Sequence, residues 1–95
     1  MSDVWNKVCQ LKGKTLYTSA RNRPFDIIDT QSDRIIFTPQ NGNGTHRWAT
    51  RKQIETMYDF ASKNNSQITS IIVQEQYPSD RNTSYIASII NTLLK

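Results

Sequence analysis

The chain has 95 residues and a mass of 11.0 kDa, enough for one domain and too few for two domains with separate hydrophobic cores. Hydrophobic residues make up 36% of the sequence and charged residues 21%, which excludes both a membrane protein and a typical disordered chain. Twelve Lys and Arg residues against eight Asp and Glu residues give a net charge of +4. We therefore expect residues 1–95 to form a single small, basic domain.

The positive charge is concentrated in the first half of the chain. Residues 1–52 contain nine basic and four acidic side chains, whereas residues 53–95 contain three basic and four acidic ones. This asymmetry suggests a polyanionic partner on one side of the molecule. Cys9 is the single cysteine and cannot form an internal disulfide, and no signal-peptide pattern is present, so the cytoplasm is the expected location.

The N-terminal segment has the spacing of a short helix. Ser2 is a suitable N-cap, the apolar residues Trp5, Val8 and Cys9 form one stripe, and Gly13 is placed to end the helix. Cys9 is expected to be a small buried hydrophobic residue.

After Gly13 the pattern changes to the alternation typical of strands. Four short strands are predicted, at residues 15–18, 25–30, 34–38 and 45–49. The tight connection at 31–33 favours an antiparallel meander, and the Asn- and Gly-rich segment at 39–44 favours a hairpin turn, with phosphate binding by its backbone N–H groups as the alternative.

Alternation also assigns the strand residues to two faces of the sheet. The predicted inner face carries Leu16, Phe25, Ile27, Ile35, Phe37, Trp48 and, as an additional candidate, His46. The predicted outer face carries Asp26, Arg34, Thr38, Thr45 and Arg47. Ile28 and Ile36 fall on the outer face as well, which suggests that part of this face is covered by the N-terminal helix or by curvature of the sheet.

Helical patterns dominate the second half of the chain. Thr50 and Gln53 match a capping box at the start of a helix that closes at 63–65. Segment 68–73 is compatible with a strand or a short helix, and we favour the helix because Thr69 can cap it. A last helix is predicted from Asn82 or Thr83, with Ile86, Ile89, Ile90 and Leu93 on its core face. The predicted fold class is therefore α+β: a short N-terminal helix, a small antiparallel sheet of three to four strands, and two to three C-terminal helices packed on one face.

No pattern in the sequence is typical of a catalytic or metal site. His46 and Cys9 lie in different predicted elements, so a nucleophile–base pair is not expected. Asp26 and Asp29 are predicted on opposite faces of one strand with Asp33 in the following turn, which argues against a shared cation. We expect no enzyme activity, no metal and no cofactor.

A set of basic residues provides the main functional hypothesis. Arg21 and Arg23 lie in the loop after the first strand, Arg47 lies on the fourth strand, and Arg51 and Lys52 occupy the first turn of the best-defined helix. Cations at a helix N-terminus oppose the helix dipole, so they require either Glu55 or an external phosphate. Arg81 and Asn82, at the start of the last helix, are secondary candidates, although ordinary capping also accounts for Asn82.

These residues predict a non-enzymatic module that binds nucleic acid, with duplex DNA favoured over RNA, by contacting phosphates. A solvated basic face with local acidic partners is the plainer interpretation. The alternative function is a protein-interaction or homodimerisation module that uses an apolar patch formed by Ile28, Ile36 or residues 71–73. Tyr17 is the best candidate for stacking on an unpaired base.

Overall fold

A computed structural model describes residues 3–18, 21–40, 46–64 and 68–94. Helix α1 (Asp3–Cys9) precedes a four-stranded sheet formed by β1 (Thr15–Tyr17), β2 (Pro24–Thr30), β3 (Arg34–Pro39) and β4 (Arg47–Thr50). Helices α2 (Arg51–Asn64), α3 (Ser70–Gln76) and α4 (Thr83–Leu94) follow. The strands are antiparallel in the order β1-β2-β3-β4, so the predicted meander and the α+β class are confirmed.

The core lies between the inner face of the sheet and the helices. Phe25, Ile27, Ile35 and Phe37 are all buried, as their alternation predicted, and the core face of α4 covers them. Phe25 and Phe37 form an edge-to-face pair with ring centroids 5.6 Å apart, a geometry that favours aromatic packing. None of the helices in the described part of the chain has the length and apolar composition needed to cross a membrane.

The side chains of strand β4 lie on the opposite faces of the sheet from those predicted. Trp48 pairs with Ile36 and is 55% exposed on the outer face, and His46 is exposed as well. Ala49 pairs with Ile35 and is fully buried instead. The prediction failed because the large ring of Trp48 dominates the hydrophobic pattern, whereas β4 packs against α2 and needs a small residue at the contact. Arg47 therefore faces inward, opposite Phe37, and its outer-face assignment was wrong.

A β-bulge at Ile28 changes the second half of β2. The register passes from Ile27 opposite Phe37 directly to Asp29 opposite Ile36, so Ile28 has no partner of its own. Asp29 consequently shares the outer face with Asp26, although regular alternation predicted opposite faces. Ile28 and Ile36 are half-buried on that face.

The helix starts in the second half follow the sequence closely. Thr50 Oγ1 accepts from the N–H of Gln53, and Gln53 Oε1 accepts from the N–H of Thr50, both at 3.1 Å, which completes the capping box. Thr69 caps α3 through the N–H of Ile72, so the helical alternative for this segment is confirmed.

The N-terminal helix differs from its prediction in the burial of one residue. Trp5 and Val8 are buried as predicted, but Cys9 ends the helix and is exposed, and Leu11 fills the core in the turn that follows. Gly13 has a φ of +84°, a conformation suited to glycine, as the chain enters β1. Ser2 and the segment 41–45 lie outside the described residues.

Candidate anion-binding site

The predicted basic set is divided between the two ends of β4. Arg47 begins the strand and Arg51 follows its last residue, so about 13 Å of extended backbone separates them at roughly 3.3 Å per residue. Arg47 begins β4 at the end of the sheet where the β1–β2 connection, which holds Arg21 and Arg23, also lies. Arg51 instead lies at the turn between β2 and β3, where its backbone N–H donates to Asp33 O at 2.8 Å.

Tyr85 lies beside the arginines at the end of the sheet where β4 begins. Its side chain lines a cleft together with Arg21 and Arg23, and Arg47 Cζ lies 5.7 Å from the centroid of its ring. Arg81 is exposed, four residues before Tyr85. We call Arg21, Arg23, Arg47 and Arg81 the α4 cluster, because the first three contact or share a cleft with the first turn of α4 and Arg81 precedes this turn in the sequence.

Asn82 fixes the position of Arg47. Its Oδ1 accepts from Arg47 Nη1 at 3.1 Å, and its Nδ2 donates to Trp48 O at 3.1 Å. Asp80 in turn accepts from the backbone N–H of Asn82 and from the amide of Gln53. The oxygen and the nitrogen of the Asn82 amide therefore both form hydrogen bonds with residues of β4, and the amide does not cap α4.

The guanidinium of Arg47 is only partly satisfied. Its Nε is buried and has no hydrogen-bond partner, and Nη2 makes no hydrogen bond to any described residue. The stacking on Tyr85 and the single bond from Nη1 to Asn82 orient the group without neutralising its charge.

A cleft of about 340 Å³ opens beside Arg21 and Arg23. Its remaining lining residues all carry hydroxyl groups and come from the end of β1 and the starts of α3 and α4: Thr18, Ser70, Thr83, Ser84 and Tyr85. All of the described lining residues can donate a hydrogen bond from the side chain, and none of them is acidic. The cleft thus has the composition of a binding site for an anion.

Three basic residues at the other end of the sheet have acidic partners, whereas Lys52 beside Arg51 has none among the described residues. Lys12 pairs with Asp29 at 3.3 Å, Arg34 with Asp33 at 3.5 Å, and Arg51 with Glu55 at 3.1 Å. We call Lys12, Arg34 and Arg51 the α2 cluster.

Arg51 has the most partners in the α2 cluster. Besides its pair with Glu55, it donates to Ser32 O at 3.2 Å and lies over the ring of Trp5, with Cζ 5.4 Å from the centroid. Lys52 is exposed beside it. The requirement for an anion at the start of α2 is therefore met by Glu55.

The two clusters differ in their local electrostatics. Among the described residues, no carboxylate lies within salt-bridge distance of any member of the α4 cluster, whereas each member of the α2 cluster has one. Within this cluster, Arg47 contacts a neutral amide and an aromatic ring among the described residues. Such an arrangement favours an external anion more strongly than a cluster with internal partners does.

The aspartates tested as cation ligands have other partners. Hydrogen bonds from Thr15 and Gln40 hold the pKa of Asp26 below its ordinary value. The hydrogen bond from Lys12, together with the backbone N–H of Thr30, lowers the pKa of Asp29. The described residues contain no group of three His, Cys, Asp or Glu side chains that could hold a metal ion.

Two aromatic rings are exposed on the outer face of the sheet. Tyr17, the predicted stacking candidate, is 54% exposed, and Trp48 is exposed to a similar degree although it was assigned to the core. Arg34 lies over the Trp48 ring with Cζ 5.8 Å from the centroid. Trp48 was missed as a surface residue because no feature of the sequence sets the register of so short a strand.

No protein-family model, curated protein or solved structure matches this chain. The site must therefore be interpreted from its own geometry.

Proposed function

We propose that this chain is a non-enzymatic nucleic-acid-binding module that contacts the phosphates of duplex DNA through the α4 cluster. The observation that carries the proposal is the contrast in pairing: four arginines near the start of α4 have no carboxylate partner among the described residues, whereas the α2 cluster is fully paired. Guanidinium groups bind phosphate oxygens in pairs of parallel hydrogen bonds, which suits this cluster to a phosphate backbone.

The ring at the centre of the cluster favours phosphates over bases as the contact. Tyr85 packs against Phe25 and Phe37, with both centroids 5.1 Å away, and Arg47 lies over it. The ring is therefore not free to stack on an unpaired base, as single-strand binding modules require. A duplex, which presents regularly spaced phosphates and keeps its bases stacked, fits the cluster better.

Binding of a short generic DNA duplex tests the proposal, measured by fluorescence anisotropy between about 50 and 200 mM salt. We expect log K to fall with log salt with a slope of about −0.9 for each phosphate contacted, or about −3 to −4 for the whole cluster. An unpaired strand of the same sequence should bind more weakly. No binding at low salt, or a slope near zero, would overturn the proposal.

Arg47→Ala and Arg34→Ala form a matched pair of variants. Both residues are strand arginines that lie over an aromatic ring, but Arg34 has Asp33 as a partner and Arg47 has no carboxylate. Arg47→Ala should weaken duplex binding about tenfold, and Arg34→Ala by less than about twofold. Equal effects would show that net charge, and not this surface, determines binding.

A second candidate function is self-association through the outer face of the sheet. The observation that favours it is the exposed ring of Trp48 on the outer face, paired with Ile36 and accompanied on that face by Ile28, both half-buried. Light scattering over a range of concentrations tests it, with Trp48→Thr as the variant. A dimer in the native protein that is lost in Trp48→Thr supports this function, and a monomer at all concentrations contradicts it.

A further inference from the structure

The cleft lined by Arg21 and Arg23 takes its hydrogen-bond donors from several parts of the fold. Ser70 and Ser84 contribute hydroxyl groups from the starts of two helices. A strand that continues past its contact point needs an open path on both sides. A site that gathers donors from several elements better suits the end of a ligand.

Thr18 provides a second observation that indicates a ligand. The residue is 5% exposed and lines the cleft, and its Oγ1 accepts from the backbone N–H of Arg23 at 3.1 Å. Among the hydrogen bonds of the described residues, this hydroxyl only accepts and never donates. A hydroxyl can accept and donate at the same time, so Thr18 Oγ1 has a proton to donate to an anion in the cleft.

Size and charge restrict the class of anion. A volume of about 340 Å³ lies at the lower end of the range for ligand clefts, which is roughly 300 to 1,000 Å³, so the cleft has room for one phosphorylated group and not for a stretch of duplex. A phosphomonoester presents three terminal oxygens and carries a charge of about −1.5 to −2 near neutral pH. Two guanidinium groups and the surrounding hydroxyls match that charge and that number of acceptors.

We infer that this cleft binds a phosphomonoester, such as the terminal phosphate of a nucleic-acid strand or a free mononucleotide. The inference rests on the proposed function in taking the ligand to be a nucleotide phosphate. The α4 cluster outside the cleft then contacts the internal phosphates, while Arg21 and Arg23 hold the terminal one. The protein would accordingly distinguish phosphorylated DNA ends from hydroxyl ends.

Three duplexes of one sequence test the inference: one with 5′-phosphates, one with 3′-phosphates and one with hydroxyl groups at every end. We expect one phosphorylated duplex to bind about tenfold more tightly than the hydroxyl form, the effect of roughly one additional charge-assisted hydrogen bond. A nucleoside monophosphate with the phosphate at the same position should compete for the site. Thr83→Val and Ser84→Ala should each reduce the preference, and the exposed Lys63→Ala should retain it, with circular dichroism checking that each variant is folded.

The outcomes separate this inference from the proposed function. Equal affinity for all three duplexes would overturn the cleft inference and leave the proposed function standing. Binding of the mononucleotide without binding of any duplex would support the phosphomonoester cleft and contradict the proposed function. Binding of neither would overturn both, and an unchanged preference in Arg23→Ala would also contradict the cleft as the site.

Discussion

The two basic clusters of this protein lie at opposite ends of one sheet and differ in what surrounds each charge. The α2 cluster is held by carboxylates, as in the Arg51–Glu55 pair at 3.1 Å, and Arg51 also links α2 to the β2–β3 turn and to Trp5. In the α4 cluster, Arg47 is instead held by a neutral group, the amide of Asn82. The two clusters are thus distinguished by the pairing of their basic residues, and the proposed function depends on this difference.

Charge reversal in the two clusters should produce the largest difference. Arg21→Glu with Arg23→Glu should weaken duplex binding about a hundredfold or more, because two phosphate contacts are lost and repulsion replaces them. Lys14→Glu with Lys52→Glu makes the same change of charge at exposed positions outside the α4 cluster. This control should cost only a few-fold through the change in net charge. Similar losses in the two double variants would remove the distinction between the clusters.

Asn82→Asp should give the α4 cluster a carboxylate partner of its own, as the α2 cluster has. The new carboxylate would neutralise Arg47 at the distance where the amide Oδ1 now accepts, 3.1 Å. Duplex affinity should fall about tenfold and the salt slope should become shallower by about one contact. Asn82→Ser serves as the control, since it shortens the side chain without adding charge. If Asn82→Asp and Asn82→Ser bind equally, charge neutralisation is not the cause.

Arg51→Ala should affect stability and not binding. The substitution removes an ion pair, a bond to Ser32 O and the packing on Trp5, so we expect a decrease of about 1 kcal/mol in the free energy of unfolding. Arg21→Ala, at an exposed position, should change that free energy by less than about 0.5 kcal/mol. Urea denaturation measures both values. The comparison fails if Arg21→Ala is the more destabilising of the two.

A small part of the acid dependence of stability should come from Asp29, the partner of Lys12 in the α2 cluster. Because the pKa of Asp29 is lowered in the folded state, its contribution is complete above the ordinary pKa of 3.8 and is lost as the pH falls through the lowered value. Asp29→Asn should therefore be less stable than the native protein at neutral pH and should lose less stability on acidification. Parallel pH profiles for the two proteins would contradict the assignment.

Most of the fold could be predicted from the sequence because local chemistry determines it. The Thr50–Gln53 capping box, the Thr69 cap and the apolar spacing of α4 each depend on residues within one or two turns. Strand β4 is different, since its register is decided by pairing with β3 and by contact with α2. Trp48 and Ala49 were therefore assigned to the wrong faces. The bulge at Ile28 also depends on strand pairing, and it places Asp29 on the opposite face of the sheet from the one predicted.

The candidate site was predictable as a list of residues but not as a surface. Arg21, Arg23, Arg47, Arg81 and Asn82 were all identified from their charge or their position, yet the chain separates the first from the last by 61 positions. Their proximity depends on α4 returning to the start of β4. The separation of Arg51 and Lys52 from this group likewise follows from the direction of one short strand. The cleft with Thr18 and Ser84 had no signal in the sequence, because isolated hydroxyl residues are common.

Asn82 has a further consequence for the solubility of the protein. Strand β4 is the last strand of the sheet, and an uncovered last strand offers a template on which strands of other molecules can add. Here the carbonyl of Trp48 is bonded to Asn82 and the N–H of Thr50 to Gln53, so side chains occupy the groups that an incoming strand would need. The amide that positions Arg47 therefore also occupies part of the free edge of β4, which should disfavour the addition of another strand at this edge.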